Sequence, residues 1–242
     1  MEAIILCGGL GTRLGELTRE TPKPLIEVAG RPFITHVLDH LLGIGVNRIV
    51  LAVSFQWEKL RHTLGTDWRG IPLSYSVELT PMGTGGAIKN AMLEYGLQQS
   101  LVVNGDTLLL EDAQPLCAAG TLHDADVVLA LKQVEDSGRF GRVLMDTAGR
   151  ILSFEEKRMT GPGCINAGMY WVNRRTFDIT DAQVFSFENE ILSKHCQQLN
   201  LHGLATDAYF IDMGVPQDLL RARNELAEAM ARHKSLQGAK LQ

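Results

Sequence analysis

The chain has 242 residues, 45% of them hydrophobic and 21% charged, with a net charge of -5 and a pI near 5.8. A chain of this make-up buries a full core without disulfide or metal staples. Its acidic balance excludes a general nucleic-acid binder but leaves room for a local cationic pocket. No basic segment precedes the first apolar run, which glycines cut after Cys7, so neither a leader nor a membrane span is expected. The four cysteines, Cys7, Cys117, Cys164 and Cys196, form no CxxC pair and read as free thiols of a reducing cytoplasm.

In chain order, Ala3–Leu6 reads as a buried strand that ends in glycines. A helix is predicted from Pro32, with Ile34, Val37, Leu38, Leu41 and Leu42 at helical spacing until Gly43 and Gly45 stop it. Arg48–Ser54 reads as a strand, Trp57–Leu64 as a helix and Leu73–Val77 as a strand. After a glycine cluster, Ala87–Tyr95 reads as a helix and Ser100–Asn104 as a strand stopping at Gly105-Asp106. Leu116–His123 then reads as a helix and Val127–Lys132 as a strand. This alternation predicts a three-layer α/β/α, Rossmann-like domain with a mostly parallel central sheet. Ligands in such sheets bind beyond the carboxyl ends of the strands, where the loop after Leu6, the turn after Val77 and Asp106 all fall.

Past residue 135 the texture changes. Val143–Met145 and Ile151–Glu155 flank the turn Asp146–Arg150 as a hairpin, a small antiparallel extension. Cys164–Val172 reads as a strand, Phe187–His195 as a helix, Leu199–Ala205 and Tyr209–Asp212 as strands, and Pro216–Ala231 as a closing helix. One domain is expected over 1–234, followed by a loose polar tail over 235–242.

The run Gly8-Gly9-Leu10-Gly11-Thr12-Arg13 lets backbone N–H groups approach phosphate oxygens, with Arg13 adding a charged fork. It is not a dinucleotide fingerprint, because Leu14 stands where the third glycine belongs and no acidic residue ends the second strand. Nor is it a Walker A loop, since no Gly-Lys-Ser/Thr follows. Glycine content alone leaves a plain tight turn open. Lys23, held between Pro22 and Pro24, adds a stiffened cation and makes a concentrated polyanion site.

Gly8-Gly9-Leu10-Gly11-Thr12-Arg13-Leu14 followed by Pro22-Lys23-Pro24 resembles the signature of the sugar-1-phosphate nucleotidylyltransferases, and the likeness runs to about Leu220. The resemblance implies a nucleoside triphosphate and a sugar 1-phosphate as partners, neither nucleic acid nor membrane, and room for a homo-oligomer. It assigns Arg13, Lys23 and Asp106 to catalysis and Leu6, Gly8, Gly9, Gly11 and Thr12 to the nucleotide. Pro81-Met82-Gly83-Thr84-Gly85-Gly86-Ala87 is similar to the segment that holds base and ribose, which adds Gly83, Thr84 and Gly85. Thr84 is also placed to cap the following helix. Glu78, at the preceding strand end, faces either the nucleotide or solvent. Asp106 in Asn104-Gly105-Asp106 and Asp212 in Asp212-Met213-Gly214-Val215-Pro216 resemble the pair that holds Mg²⁺. Phe154-Glu155-Glu156-Lys157 and Ile165-Asn166-Ala167-Gly168 resemble the sugar segments, giving Gly105, Glu156, Lys157, Asn166 and Gly168 to the sugar phosphate. Arg158 departs from the usual proline there.

The implied reaction is in-line attack of a sugar phosphate oxygen on the α-phosphorus, with pyrophosphate leaving and no covalent intermediate. The stretches Gly30-Arg31-Pro32-Phe33 and Met82–Lys89 and the compact length are similar to members that pair GTP with D-glycero-α-D-manno-heptose 1-phosphate. A uridylyl- or thymidylyltransferase for a hexose or N-acetylmuramate 1-phosphate stays open, as does a non-catalytic nucleotide-sugar sensor. The cysteines and histidines form no metal-ligand spacing. His36 and His40 share a helix face at i,i+4 and read as a helix surface.

Overall fold

In the computed structural model, β1 (Glu2–Leu6) pairs in parallel with β4 (Arg48–Val53) and β7 (Gln99–Asn104), so the first glycine loop emerges at the centre of the sheet. The structure describes residues 1–9, 12–155 and 160–240, with backbone only for 12, 13 and 237–240. Between β1 and β4 lie a short ribbon, β2 (Glu27–Val28) and β3 (Arg31–Pro32), and α1 (Phe33–Gly43). Then follow α2 (Trp57–Leu64), β5 (Asp67–Trp68), β6 (Ile71–Val77) and α3 (Gly83–Glu94). After β7 come β8 (Thr107–Leu109), α4 (Gln114–Leu122), β9 (Val127–Val134), and the hairpin β10 (Arg142–Met145) and β11 (Ile151–Glu155). The chain closes with β12 (Gly163–Asn173), a π-helical segment at Phe187–Ser193, β13 (Leu201–Thr206), β14 (Phe210–Asp212) and α5 (Pro216–Lys240).

The eight-stranded sheet has the order β13-β9-β12-β7-β1-β4-β6-β5. β12 is antiparallel to both β7 and β9, and β5 is antiparallel to β6, while the other pairs are parallel. Side chains alternate across it as strand geometry requires. Ala3, Ile5, Leu101 and Val103 enter the core under α1, α2, α4 and α5. Ile4, Val102, Val50 and Ala52 enter the core under α3 and the 177–192 segment. Three layers result, as the alternation of elements predicts. Because each buried Leu or Ile contributes roughly 1.5–3 kcal/mol, the two faces fix the sheet as a rigid platform.

The reversed β12 matters for function. Its N-terminal half runs past the carboxyl end of β7 and delivers Asn166 and Gly168 there, at a register shift between Asn166 and Tyr170. A second ribbon, β8 against β14, sets Asp212 opposite Thr107, and Met213 N–H donates to the Asp106 carbonyl at 2.9 Å. The closing helix starts at Pro216 as expected but continues to Lys240, through residues whose polarity reads as a loose tail.

His36 and His40 are not on a helix surface. They are 3% and 4% exposed, on the core-facing side of α1. His36 bonds the Val28 carbonyl at 2.9 Å through Nε2 and accepts from Arg31 at Nδ1, while His40 Nε2 donates to the Glu111 carbonyl at 3.0 Å. Burial lowers both pKa values, that of His40 to about 4. A histidine kept neutral in the fold favours unfolding once the unfolded chain binds the proton. Stability is therefore complete above pH 6.5 and declines toward pH 4, by about 3 kcal/mol for His40. Melting temperature is expected to fall over that window, and His40→Gln is expected to flatten the fall. An unchanged slope would count against this role.

Candidate active site

At the carboxyl ends of β1, β4, β6 and β7 the structure opens two cavities that share a wall. The first, of about 510 Å³, is lined by Leu6, Gly8, Gly9, Glu78, Gly83 and Thr84, among others. The second, of about 990 Å³, is lined by Asn166, Gly168 and Asp212 among others. Lys23, Asn104, Asp106 and Glu188 line both.

Lys23 sits in a short 3-10 turn, Lys23–Leu25, entered through extended Pro22. Its side chain is only 10% exposed, and Nζ donates to Asp106 Oδ2 at 2.5 Å. Asp212 lies beside Asp106 across the β8–β14 ribbon and accepts from Gly214 N–H at 2.6 Å. Burial, then repulsion from Asp106, raises its pKa; Lys23 and the Gly214 N–H act the other way. Two carboxylates held together at a cost in charge repulsion, open to a cavity, fit a hard divalent cation that bonds oxygen. Among the described residues no group of three or more acidic, His or Cys side chains gathers as a metal site, here or elsewhere.

On the nucleotide side, Ser54 Oγ donates to the Gly8 carbonyl at 2.6 Å and pins the loop to the end of β4. Glu78 leans over that loop: a Cβ on Gly8 would meet Glu78 Oε1 at 2.9 Å. Its Oε2 accepts from Met82 N–H at 2.8 Å, and burial raises its pKa against that bond. Of the two orientations open for Glu78, the structure shows the one into the cavity.

Thr84 does not cap α3. Met82 is the N-cap, with no side-chain bond, and Thr84 Oγ1 instead accepts from Phe187 N–H at 2.9 Å. It therefore ties α3 to the π-helical segment. Gly85 is likewise a packing residue: a Cβ there would lie 2.3 Å from the Phe185 ring, and its N–H donates to the Phe185 carbonyl. Gly105 is buried just past the end of β7, beside β1, where a Cβ would be 2.7 Å from the Leu6 carbonyl. Neither is among the residues lining the two cavities, and a side chain at either position would meet protein atoms. Gly11, Glu156 and Lys157 lie outside the described residues, as do the side chains of Thr12 and Arg13.

On the sugar side, Gly168 adopts φ +71 beside the Asn104 amide, and its N–H donates to Asn166 Oδ1 at 3.0 Å. Asn166 Nδ2 donates to Tyr170 Oη at 2.7 Å and to Glu188 Oε1 at 2.9 Å, and Tyr170 Oη donates to the same Oε1 at 3.1 Å. Burial, then Glu188, raises the Tyr170 pKa well above the usual tyrosine range, so the hydroxyl keeps its proton. One Glu188 oxygen is thus fixed by two donors, at the wall between the cavities. Sequence reading passed over Glu188 and Tyr170. Tyr170 follows Asn166-Ala167-Gly168 and was findable, whereas Glu188 sits in a polar run with no marking neighbour. Cys7 lines the first cavity, and burial and then Asp106 push its thiol far up, so it stays protonated.

A mostly parallel α/β platform with two abutting cavities, and a lysine and carboxylates at their junction, is an arrangement that fits a transferase holding two anionic substrates together. The chain belongs to the nucleotidyl transferase family, which it matches over residues 2–229. The D-glycero-alpha-D-manno-heptose 1-phosphate guanylyltransferase of Aneurinibacillus thermoaerophilus is 37% identical over 227 residues, covering 93% of this chain and 98% of that protein. The protein of the same name from Campylobacter jejuni subsp. jejuni serotype O:2 is 39% identical over 219 residues, 90% of this chain and 96% of that one. A crystal structure of HddC from Yersinia pseudotuberculosis complexed with GMP-PN superposes with a TM-score of 0.82 at 31% identity, covering 93% of this chain and 99% of that one. No described helix is long and apolar enough to cross a membrane.

Proposed function

We propose that this chain transfers GMP from GTP to D-glycero-α-D-manno-heptose 1-phosphate, forming GDP-heptose and pyrophosphate. The observation that carries the reading is the shared wall: Lys23 and Asp106 line both cavities. Full-length similarity to guanylyltransferases of that sugar supports the substrate pair.

Triphosphate occupies the first cavity, its oxygens on the Gly8-Gly9 backbone, and we assign Gly11, Thr12 and Arg13 to the same phosphates on the family resemblance. Glu78 selects the base. Guanine offers adjacent N1–H and N2–H donors, which a carboxylate accepts, whereas uracil and thymine offer one donor between two acceptors. The sugar phosphate occupies the second cavity, with Asn166, Gly168 and Glu188 on its hydroxyls and, by resemblance, Glu156 and Lys157 on hydroxyl and phosphate. Asp106 and Asp212 would hold a divalent cation, for which we assign Mg²⁺; when bound it supplies positive charge among the phosphates.

A phosphate oxygen of the sugar attacks the α-phosphorus, the new P–O bond forms, and the bond to the pyrophosphate oxygen breaks with its electron pair. A phosphate monoester is already an adequate nucleophile, so no general base is required. Lys23 donates to the reacting phosphates at the junction, and the rigid strand ends hold the two anions in line. The use of a nucleoside triphosphate and the free cysteines support a cytoplasmic enzyme.

A panel of GTP, UTP, dTTP, CTP and ATP against heptose and hexose 1-phosphates tests the pair. GTP with the heptose phosphate is expected to give the highest kcat/KM. A better pair with another base removes the role given to Glu78.

A further inference from the structure

The outer part of the sugar cavity is walled by the β10–β11 hairpin, and there the structure carries a charge pair that the reaction does not use. Arg142 on β10 stands directly opposite Glu155 on β11, and both line the cavity. Their Nε and Oε2 atoms face each other at 3.5 Å, with the side chains 22% and 27% exposed. Both atoms are buried, and among the described residues neither makes a hydrogen bond. Among the described residues, the guanidinium donates from Nη2 to the Thr160 carbonyl at 3.2 Å. Buried charged groups are ordinarily paired and fully bonded, so a loosely bonded pair lining a substrate cavity has donor and acceptor capacity left to offer a ligand.

The position of the pair follows from β12. Gly168 packs against Asn104 and Thr107, next to Asp106 at the reacting end. Asn166 comes next, and Gly163 lies three residues beyond it, about 10 Å further along the strand. The Arg142 stem lies flat on Gly163, where a Cβ would be 2.6 Å from Cδ. Arg142 is thus held at the end of the cavity away from the phosphates.

Resting on the reading given above, we propose that Arg142 and Glu155 bind the exocyclic hydroxyls of the sugar and so distinguish a seven-carbon from a six-carbon substrate. The guanidinium only donates and the carboxylate only accepts. A vicinal diol, each hydroxyl both donor and acceptor, bridges such a pair. The exocyclic chain of a manno-heptose carries that diol; mannose, with the same ring configuration, carries a single hydroxyl there.

The test is kcat/KM for D-glycero-α-D-manno-heptose 1-phosphate and for α-D-mannose 1-phosphate, each with GTP, on the full chain and on Arg142→Leu and Glu155→Gln. The parent is expected to prefer the heptose. Each variant is expected to lower that preference about tenfold, the size of one lost hydrogen bond to a charged group, through KM for the sugar and with KM for GTP unmoved. Glu155→Gln keeps the shape of the hairpin, so it separates recognition from misfolding. Parallel losses on both sugars, an unchanged ratio, or a parent without preference would overturn the proposal while nucleotidyl transfer stands. Absence of pyrophosphate from the parent with either sugar would instead remove the functional reading beneath it.

Discussion

Replacing Asp106 with asparagine is expected to lower turnover about a thousandfold, roughly 4 kcal/mol of transition-state stabilisation. Asp106 lines both cavities, holds Lys23 at 2.5 Å and stands beside Asp212. The substitution removes half of the negative charge that fits a divalent cation while keeping an oxygen for Lys23. The stability cost is expected to be small against the loss of rate. The Asp106 side chain is 37% exposed, so solvent screens part of what the ion pair contributes. Alanine is the poorer choice, because it strands a lysine that is only 10% exposed without any partner. The comparison is of kcat at saturating Mg²⁺ and of the denaturation midpoint. Near-parental kcat would remove Asp106 from the reaction, and a collapsed midpoint would make it a folding residue.

Lys23→Met is expected to cost about a hundredfold, close to 3 kcal/mol, and to do so in kcat. Lysine in the wall between two anions is best placed for charge that shifts during transfer, not for the ground state of either substrate alone. A rise in KM for one substrate with kcat unchanged would mean uniform binding and would move Lys23 out of the transition state. Methionine fills the buried stem but leaves Asp106 and Asp212 facing each other uncompensated. Metal affinity is therefore not expected to fall along with kcat, which separates this variant from the one at Asp106.

Local pattern made much of the fold legible. Trp57–Leu64 has the predicted bounds because its apolar positions and the glycine that ends it are both local signals. The β10–β11 hairpin was legible for the same reason: Asp146 Oδ1 accepts from the Ala148 and Arg150 N–H groups, and an aspartate at that turn position announces itself. What the pattern does not carry is which distant groups meet. Nothing local says that β12 inserts backwards between β9 and β7, yet that reversal brings Asn166 and Gly168 to the reacting end. Gly85 and Gly105 show the same limit. A glycine signals close backbone approach without saying what approaches, and here a phenylalanine ring and a strand carbonyl do. His36 and His40 read as a helix surface; the carbonyls of Val28 and Glu111 that satisfy them inside belong to β2 and to the loop after β8, which local pattern does not connect to α1.

The most direct measurement is pyrophosphate release by the purified chain with GTP, Mg²⁺ and the heptose 1-phosphate, each omitted in turn. Release matched one to one by GDP-heptose, and only when all three are present, is the expected result, since the two anions must meet at the Lys23–Asp106 wall. Release or pyrophosphate–GTP exchange without the sugar would point to a covalent guanylyl enzyme, and nucleotide binding with no release under any condition would leave a sensor in place of a transferase. Either result would contradict direct transfer between the two cavities.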